Sequence, residues 1–438
     1  MPVRLRQRTA KTRLTLRYRV IAWAGLAVFL VFAVWYWPPG RVYEALLVLV
    51  DVDASAAPSH WKTITPAPRR TTVTYAVHGR TSVARGPLQR ILRSRHLPIH
   101  GRRTTPEATA IAGRTRVGDL YLPGKGAVAA GIVLVPGIVP EGKDEPRLVA
   151  LAHTLARARF AVLVPEMTGF RAMRIRPADS HAIADALAFL AGRADLTPQG
   201  RLGMVAFSYA AGVSILAALE QANVRENIQF IIGIGGYYDL TQVITFFTTG
   251  YFQEHGQWRH LPPNPYGKWV FVDSSKDYLH NPNDKAVLDT MLHLKRRDMH
   301  ADIAYLAPQL GPEGRAVYDL LTNTDPARTP RLMQGLPLRI QEDMTRLTLA
   351  NKDLSPLRAR LTLVADRNDT IIPYTESIAL AQAVPQAELT LVRNLIHVEP
   401  RFLPGGWRYG SWAFWSEDLP DFWRLYRVVY SLLEERER

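Results

Sequence analysis

The sequence contains no cysteine, and this absence excludes several kinds of chemistry. Without thiols the chain forms no disulfide bond, holds no metal through thiolates and has no cysteine nucleophile. An oxidising compartment is permitted by this composition but is not indicated by it. The sequence also lacks an HExxH zinc motif, a P-loop and a GxGxxG turn that opens a nucleotide-binding fold. No cofactor and no metal ion is therefore expected.

Excess charge is confined to two short segments of the 438-residue chain, whose net charge is +15. Residues 1–20 hold seven basic side chains and no acidic one, and residues 79–117 hold nine arginines against one glutamate. The two segments account for the whole excess, so the rest of the chain is neutral. This distribution argues against a nucleic-acid partner and fits contact with an anionic membrane surface. For residues 79–117 a solvated loop is the simpler interpretation.

One uncharged run of 18 residues, Val20 to Trp37, is long enough to span a bilayer. It is longer than the apolar core of a cleaved signal peptide, which has about 7–15 residues. The run ends in an aromatic cluster typical of a membrane interface, and Pro38, Pro39 and Gly40 then stop the helix. The sequence therefore predicts a basic cytoplasmic tail at 1–19 and a single uncleaved transmembrane helix at 20–37. The body of the chain is expected on the outer side, periplasmic or extracellular.

The remainder of the chain alternates between apolar strand-like runs and helical patterns. A tether is expected at 38–72. Strands are predicted at 71–77, 118–122, 131–135, 160–164, 202–207, 228–234, 361–365 and 388–392. Helices are predicted at 147–159, 179–192, 209–221, 375–383 and 419–435. This alternation indicates a mostly parallel, doubly wound α/β sheet that is covered on both faces.

The alternation is interrupted for a stretch too long to be a loop in a compact domain. We expect a core in two parts, 73–239 (with the basic loop 79–117) and 356–438, separated by an inserted, largely helical cap at 240–355. Some of its aromatic side chains could line a pocket, although most are expected to form the core of the cap itself. These are Phe246, Phe247, Tyr251, Phe252, Trp258, Tyr266 and Trp269.

Ser208 lies where a buried strand meets a helix, in the sequence Ala206-Phe-Ser-Tyr-Ala210. A serine nucleophile held on a sharp strand-to-helix turn needs small residues two positions before and after it, and both are alanine here. The usual GxSxG pattern has thus become AxSxA. The alternative is that Ser208 is only a small residue in a packed turn.

A serine nucleophile needs a base, and the base needs a carboxylate that orients it. His397 follows the predicted strand at 388–392 and is the only histidine beyond position 300. Asp366 and Asp369 follow the predicted strand at 361–365. The chain order Ser, Asp, His is the order found in α/β-hydrolase triads. Both aspartates could instead serve only to form the turn, since aspartate favours such loops.

These features together resemble the α/β-hydrolase superfamily, near its serine esterase and dienelactone hydrolase branches. The likeness covers roughly residues 117–240 and 355–435. It implies that Asp369 is the acid, with Asp366 as the runner-up and Asp239 as a more distant alternative. It also implies an oxyanion hole made by the backbone N–H groups of Tyr209 and Ile138. The dienelactone branch uses a cysteine nucleophile, so its substrate cannot be carried over to this chain.

The function expected from this resemblance is hydrolysis of an ester-like acyl bond by a membrane-anchored enzyme with the triad Ser208, His397 and Asp369. The expected partners are a small-molecule or lipid-like ester and, through residues 20–37, a membrane. Transfer of the acyl group to an acceptor other than water fits the same residues. The alternative from a different class is a catalytically inactive membrane scaffold or binding protein that retains the fold.

Overall fold

Residues 39–77, 115–220, 225–393, 395–400 and 411–438 are described by a computed structural model of the chain. The expected cytoplasmic tail, the expected transmembrane helix at 20–37 and most of the basic loop at 79–117 lie outside these ranges. Within the ranges, no helix is both long enough and apolar enough to cross a membrane.

The first half of the chain forms strands and helices in alternation. In chain order the elements are α1 (Pro39–Ala54), α2 (His60–Ile64), β1 (Arg69–Ala76), β2 (Thr115–Leu122), β3 (Ala130–Val135), α3 (Pro146–Arg157), β4 (Phe160–Pro165), α4 (Thr168–Arg171), α5 (Asp179–Ala191), β5 (Leu202–Phe207), α6 (Tyr209–Glu220) and β6 (Phe230–Ile234).

A long segment with helices and one short hairpin separates β6 from the next strand of the sheet. Its elements are α7 (Leu240–Thr249), β7 (Tyr251–Glu254), β8 (Gln257–His260), α8 (Tyr266–Ser275), α9 (Pro282–Arg297), α10 (Pro312–Leu321), α11 (Thr329–Gln334) and α12 (Leu338–Leu347). The alternation then resumes with β9 (Arg360–Asp366), α13 (Tyr374–Ala383), β10 (Ala387–Val392), β11 (Leu395–Ile396), β12 (Glu399–Pro400) and α14 (Leu419–Glu434).

Eight strands form one sheet in the order β1-β2-β4-β3-β5-β6-β9-β10. In this order the six strands from β4 through β3, β5, β6 and β9 to β10 pair in parallel. Strand β2 runs antiparallel to both β1 and β4. Every residue of β3 and β4 is buried, which explains why these strands are continuous apolar runs rather than alternating ones. The mostly parallel α/β sheet expected from the sequence is confirmed, and it fits the α/β-hydrolase fold.

Helices cover both faces of this sheet. On one face α5 and α6 pack together, and their apolar side chains continue into the cap. On the other face α3 packs on β4, and α14 packs on both β10 and α1. Burial of both faces is what a central parallel sheet requires.

The expected tether at 38–72 is wrong over most of its length. Residues 39–54 form α1, whose apolar side chains Val42, Ala45, Leu47, Val48 and Leu49 are buried in the core between α3 and α14. The composition of this stretch, with its prolines and alanines, suggested a linker, but the apolar residues lie on one helical face.

Polar contacts hold α1 in place as well. Asp51 is fully buried and accepts hydrogen bonds from Ser59 and from Thr154 of α3, and Lys62 lies 3.1 Å from its carboxylate. Near the other end of the helix, Glu44 receives two hydrogen bonds from Arg436, at 2.6 and 2.7 Å.

The predicted basic loop at 79–117 ends earlier than its charges suggested. Residues 115–117 belong to β2, and the guanidinium of Arg116 in that strand donates a 2.6 Å hydrogen bond to the buried carboxylate of Asp185. This arginine is therefore part of the core's electrostatics rather than of a solvated loop.

The docking of α1 predicts the effect of replacing Asp51. Asp51→Ala removes a buried carboxylate and leaves Lys62 and two hydroxyls without their partner, so the free energy of unfolding should fall by about 3 kcal/mol. Asp195→Ala is the control, because Asp195 pairs with Arg193 on the exposed surface and should cost under about 1 kcal/mol. Urea denaturation measures both values. Equal stability of the two variants would show that α1 does not dock as described.

Candidate active site

Ser208 occupies the turn between β5 and α6, and its backbone is in the left-handed region with a φ of +55°. Few residues other than glycine adopt this conformation without a cost of about 1–3 kcal/mol. The Ser208 N–H donates to the carbonyl of Ile234 in the neighbouring strand at 2.7 Å, which holds the turn. Ala206 and Ala210 are both fully buried, so larger side chains would clash on either side of the turn. The small residues around the serine therefore follow from the close approach of helix and strand.

His397 and Asp369 are joined by a hydrogen bond. His397 Nδ1 lies 2.7 Å from Oδ2 of Asp369, and the carboxylate is almost entirely buried. The other oxygen, Oδ1, accepts hydrogen bonds from the backbone N–H groups of Ile371 at 2.8 Å and Ile372 at 3.1 Å. Because the carboxylate needs a donor, Nδ1 carries the hydrogen and Nε2 of the imidazole is left as the acceptor.

Asp366, the runner-up for the acid, has a different set of partners. Its Oδ1 accepts from the N–H of Asn368 at 2.7 Å and its Oδ2 accepts from the N–H of Leu395 at 3.0 Å. Burial raises the pKa of Asp366 to about 6. Its contact with Leu395 ties the end of β9 to the segment that carries His397, so Asp366 positions the loop while Asp369 contacts the imidazole.

Asp239, the more distant alternative, lies at the start of α7. Its carboxylate accepts from the N–H of Thr241 at 2.8 Å and so caps the helix. Its own N–H donates to the buried carboxylate of Glu376 at 2.6 Å. The structure therefore gives Asp239 a structural place at the beginning of the cap rather than a contact with His397.

Ser208 and His397 line the same cavity, which has a volume of about 720 Å³. Most of the residues that line it are apolar. They come from the end of the sheet on one side and from the cap on the other. Gly235 lies against His397 with a φ of +64°, and a Cβ atom at this position would be 3.3 Å from both Cε1 and Nδ1 of the imidazole. The absence of a side chain at Gly235 thus leaves room for the imidazole ring at the carboxyl end of β6.

Ile138 and Tyr209, the two residues predicted to supply an oxyanion hole, both line this cavity. Tyr209 is the first residue of α6, and N–H groups of a first helical turn have no acceptor within their own helix. The same helix end carries a partial positive charge. Ile138 follows β3, and its carbonyl accepts a hydrogen bond from the Tyr266 hydroxyl of the cap. The two residues therefore line the cavity beside Ser208, from positions that follow two adjacent strands.

The aromatic residues of the cap fall into those that line the cavity and those that do not, a division that the sequence alone did not give. Phe247 and Tyr266 line the cavity. Phe246 and Phe252 instead pack with Tyr374 in a separate cluster, and Trp258 is 45% exposed. Sequence reasoning missed two further cavity residues of the cap, Tyr278 and Asp343. No motif marks them, since Tyr278 follows α8 and Asp343 lies on α12, and only the packing of these two parts of the cap brings them to the cavity.

No family model and no curated protein sequence matches this chain. Its fold is similar to that of a mutant of the rice cell wall degrading esterase LipA from Xanthomonas oryzae, with 12% identity and a TM-score of 0.50. That similarity covers 89% of this chain and 95% of the esterase. A dienelactone hydrolase from Anabaena variabilis is also similar, at 11% identity and a TM-score of 0.37, over 83% of this chain and 96% of that one. The chain thus has the α/β-hydrolase fold.

The site combines a serine hydroxyl, an imidazole and a buried carboxylate at the end of the sheet. An imidazole whose Nδ1–H is held by a carboxylate can remove the proton of a serine through Nε2. Two unpaired backbone N–H groups can bind a developing oxyanion when they point at its position. The arrangement is therefore chemically suited to attack on a carbonyl carbon.

The contact between Asp369 and His397 can be tested without any assumption about the substrate. A proton shared between Nδ1 and a buried carboxylate resonates far downfield of other imidazole protons, so wild-type protein should show one such resonance. Asp369→Asn should abolish the resonance because the anionic acceptor is lost. Asp366→Asn, an equal change nearby, should retain it. Loss of the signal in Asp366→Asn alone would assign the acid to Asp366.

Proposed function

We propose that the protein is a serine hydrolase that cleaves an ester-like acyl bond through Ser208, His397 and Asp369. The observation that supports this most strongly is the 2.7 Å hydrogen bond between the buried Asp369 and His397, on the wall of a cavity that Ser208 also lines. A histidine and an aspartate that served only to shape turns would have no need to meet at this point.

In the proposed reaction, His397 accepts the proton of the Ser208 hydroxyl as its oxygen attacks the carbonyl carbon of the ester. Asp369 keeps the imidazole in the required tautomer and stabilises its charged form. The N–H groups of Ile138 and Tyr209 bind the oxyanion of the tetrahedral intermediate. His397 then gives its proton to the leaving alcohol. Water, activated by the same base, releases the acid from the serine.

The composition of the cavity supports an apolar acyl group. Val243, Phe247 and Val270 of the cap face Ile372 and Val398 of the core across it. Transfer of apolar surface from water into an apolar cavity is favourable. A hydrocarbon chain is therefore stabilised there by about 0.8 kcal/mol for each buried CH₂. The volume suffices for a chain of medium length rather than for acetate alone.

Hydrolysis of p-nitrophenyl esters over a series of acyl lengths tests this function. Wild-type protein should prefer medium-length chains to acetate, and Ser208→Ala should lower kcat/KM by roughly 10⁴-fold or more. Ser416→Ala is the control, since Ser416 is exposed and distant from the cavity lining, and it should behave as wild type. Activity that is equal in Ser208→Ala and the wild type would exclude Ser208 as the nucleophile.

We further propose that residues 20–37 anchor the protein in a membrane, with the N-terminus in the cytoplasm and the hydrolase domain on the outer side. The support is the 18-residue uncharged run that follows seven basic residues. The run ends before the first described helix, α1, begins at Pro39.

Removal of residues 1–38 tests the anchor. Since α1 begins at Pro39, the shortened chain keeps every described contact and should appear in the soluble fraction with ester hydrolysis intact. The full chain should sediment with membranes and be released by detergent but not by high salt. Release of the full chain by salt alone would indicate that only its basic segments bind the membrane surface.

A further inference from the structure

The cavity contains a carboxylate that the proposed reaction does not use. Asp343 of α12 is only 6% exposed and lines the cavity together with Ser208 and His397. Its Oδ2 accepts a hydrogen bond from the Tyr278 hydroxyl. Its Oδ1 is buried and, among the residues that the structure describes, has no hydrogen-bond partner. A buried carboxylate oxygen is rarely left unpaired, because removing it from water is costly.

A second polar atom at the cavity is in the same condition. The hydroxyl of Tyr209 is buried and likewise unpartnered within the described part of the chain. Its ring is fixed by stacking on Tyr237, with the centroids 5.3 Å apart and the planes 12° from parallel. Burial, followed by the nearby Tyr237, Asp179 and Asp343, raises the pKa of Tyr209 well above its usual value. The phenol therefore stays neutral and can donate a hydrogen bond.

The groups around Asp343 indicate which kind of ligand group its Oδ1 would accept. The guanidiniums of Arg176 and Arg339 lie 4.5 and 5.8 Å from the ring centroid of Tyr278, which itself contacts Asp343. Both arginines are themselves paired, with Asp277 and Glu342 at 3.2 Å each, so charge alone does not exclude a cationic ligand. An ammonium group, however, has no lone pair with which to accept from the phenol of Tyr209. A hydroxyl group can donate to Oδ1 of Asp343 and accept from Tyr209 at the same time.

We propose that the cavity selects esters that carry a hydroxyl group on the chain that extends from Ser208. The hydroxyl donates to Oδ1 of Asp343 and accepts from the phenol of Tyr209, while Tyr278 orients the carboxylate through Oδ2. The apolar walls hold the chain, and the two polar atoms at one place on them determine how far from the ester bond the hydroxyl must lie. This inference rests on the proposed function for the ester bond, and on Asp343 and Tyr209 for the hydroxyl.

Three families of ligand separate the hydroxyl from the chain: plain acids, ω-hydroxy acids and ω-methoxy acids of the same lengths. A methyl ether accepts hydrogen bonds but cannot donate one to Asp343. Calorimetry on Ser208→Ala should find one length at which the hydroxy acid binds about tenfold or more tightly than both other acids. Equal binding of the three at every length would overturn the proposal, because water would then satisfy Asp343.

Variants of α12 assign the effect to Asp343. Asp343→Leu in the same background should abolish the preference for the hydroxy acid. Glu342→Leu is the matched control, since Glu342 is the neighbouring carboxylate on the exposed side of the helix, and it should retain the full preference. If Asp343→Leu does not fold, the comparison of hydroxy and methoxy acids still decides. A preference that survives in folded Asp343→Leu would contradict the assignment.

Kinetics with the corresponding p-nitrophenyl esters then distinguish the two proposals. Ser208-dependent hydrolysis without a preference for the hydroxy ester would refute the selectivity and leave the hydrolase function intact. Tight, Asp343-dependent binding of the hydroxy acid without Ser208-dependent hydrolysis would refute the hydrolase function and support the hydroxyl site. We expect both hydrolysis and a kcat/KM ratio of about tenfold in favour of the hydroxy ester.

Discussion

The parallel sheet brings the carboxyl ends of its strands to one edge, and the candidate site depends on this constraint more than on any single contact. Ile138 follows β3, Ser208 follows β5, Asp369 follows β9 and His397 comes soon after β10. These positions are far apart in the chain. Because the strands β4-β3-β5-β6-β9-β10 all run in parallel, the residues that follow them lie at the same edge of the sheet. Since β3, β5, β6 and β9 are held in register by continuous ladders, the site stands on rigid elements.

Two of the non-glycine residues with a positive φ lie at that edge. Ser208 and His397 are both in the left-handed region, with φ of +55° and +58°, although neither is glycine. The surrounding hydrogen bonds hold them there, notably Ser208 N–H to Ile234 and Asp369 to His397. Non-glycine residues in this region cost free energy and persist where their position is needed for function. The stability lost at the turn is offset by burial of the apolar strands behind it.

Much of the fold could be predicted from the sequence because the central strands are buried on both faces. GIVLV at 131–135 and FAVLV at 160–164 have no other plausible place than the interior of a sheet, and their observed bounds differ by a residue at most. The chain order of Ser208, Asp369 and His397 could be predicted for the same reason, since each follows a recognisable strand. The choice of Asp369 over Asp366 rested on the family resemblance alone, because both residues follow the same strand and no local pattern says which carboxylate meets the imidazole.

The parts that escaped prediction are those that depend on tertiary packing. The α1 helix looked like a linker because Pro38, Pro39 and Gly40 precede it and alanines follow, and only its contact with α3 and α14 makes a helix stable there. Asp343 is one acidic residue on an amphipathic helix, and such residues usually face water. Whether it points to the solvent or to the cavity is set by how the cap docks, which no local pattern encodes.

Covalent labelling shows most directly whether Ser208 is an activated nucleophile. Full-length protein in detergent would be treated with a fluorophosphonate, digested and mapped by mass spectrometry, beside His397→Ala. We expect one adduct, on Ser208, in the wild type and almost none in His397→Ala. No label on Ser208 in the wild type, or equal labelling of the wild type and His397→Ala, would contradict the assignment of Ser208 and favour a binding protein that retains the hydrolase fold.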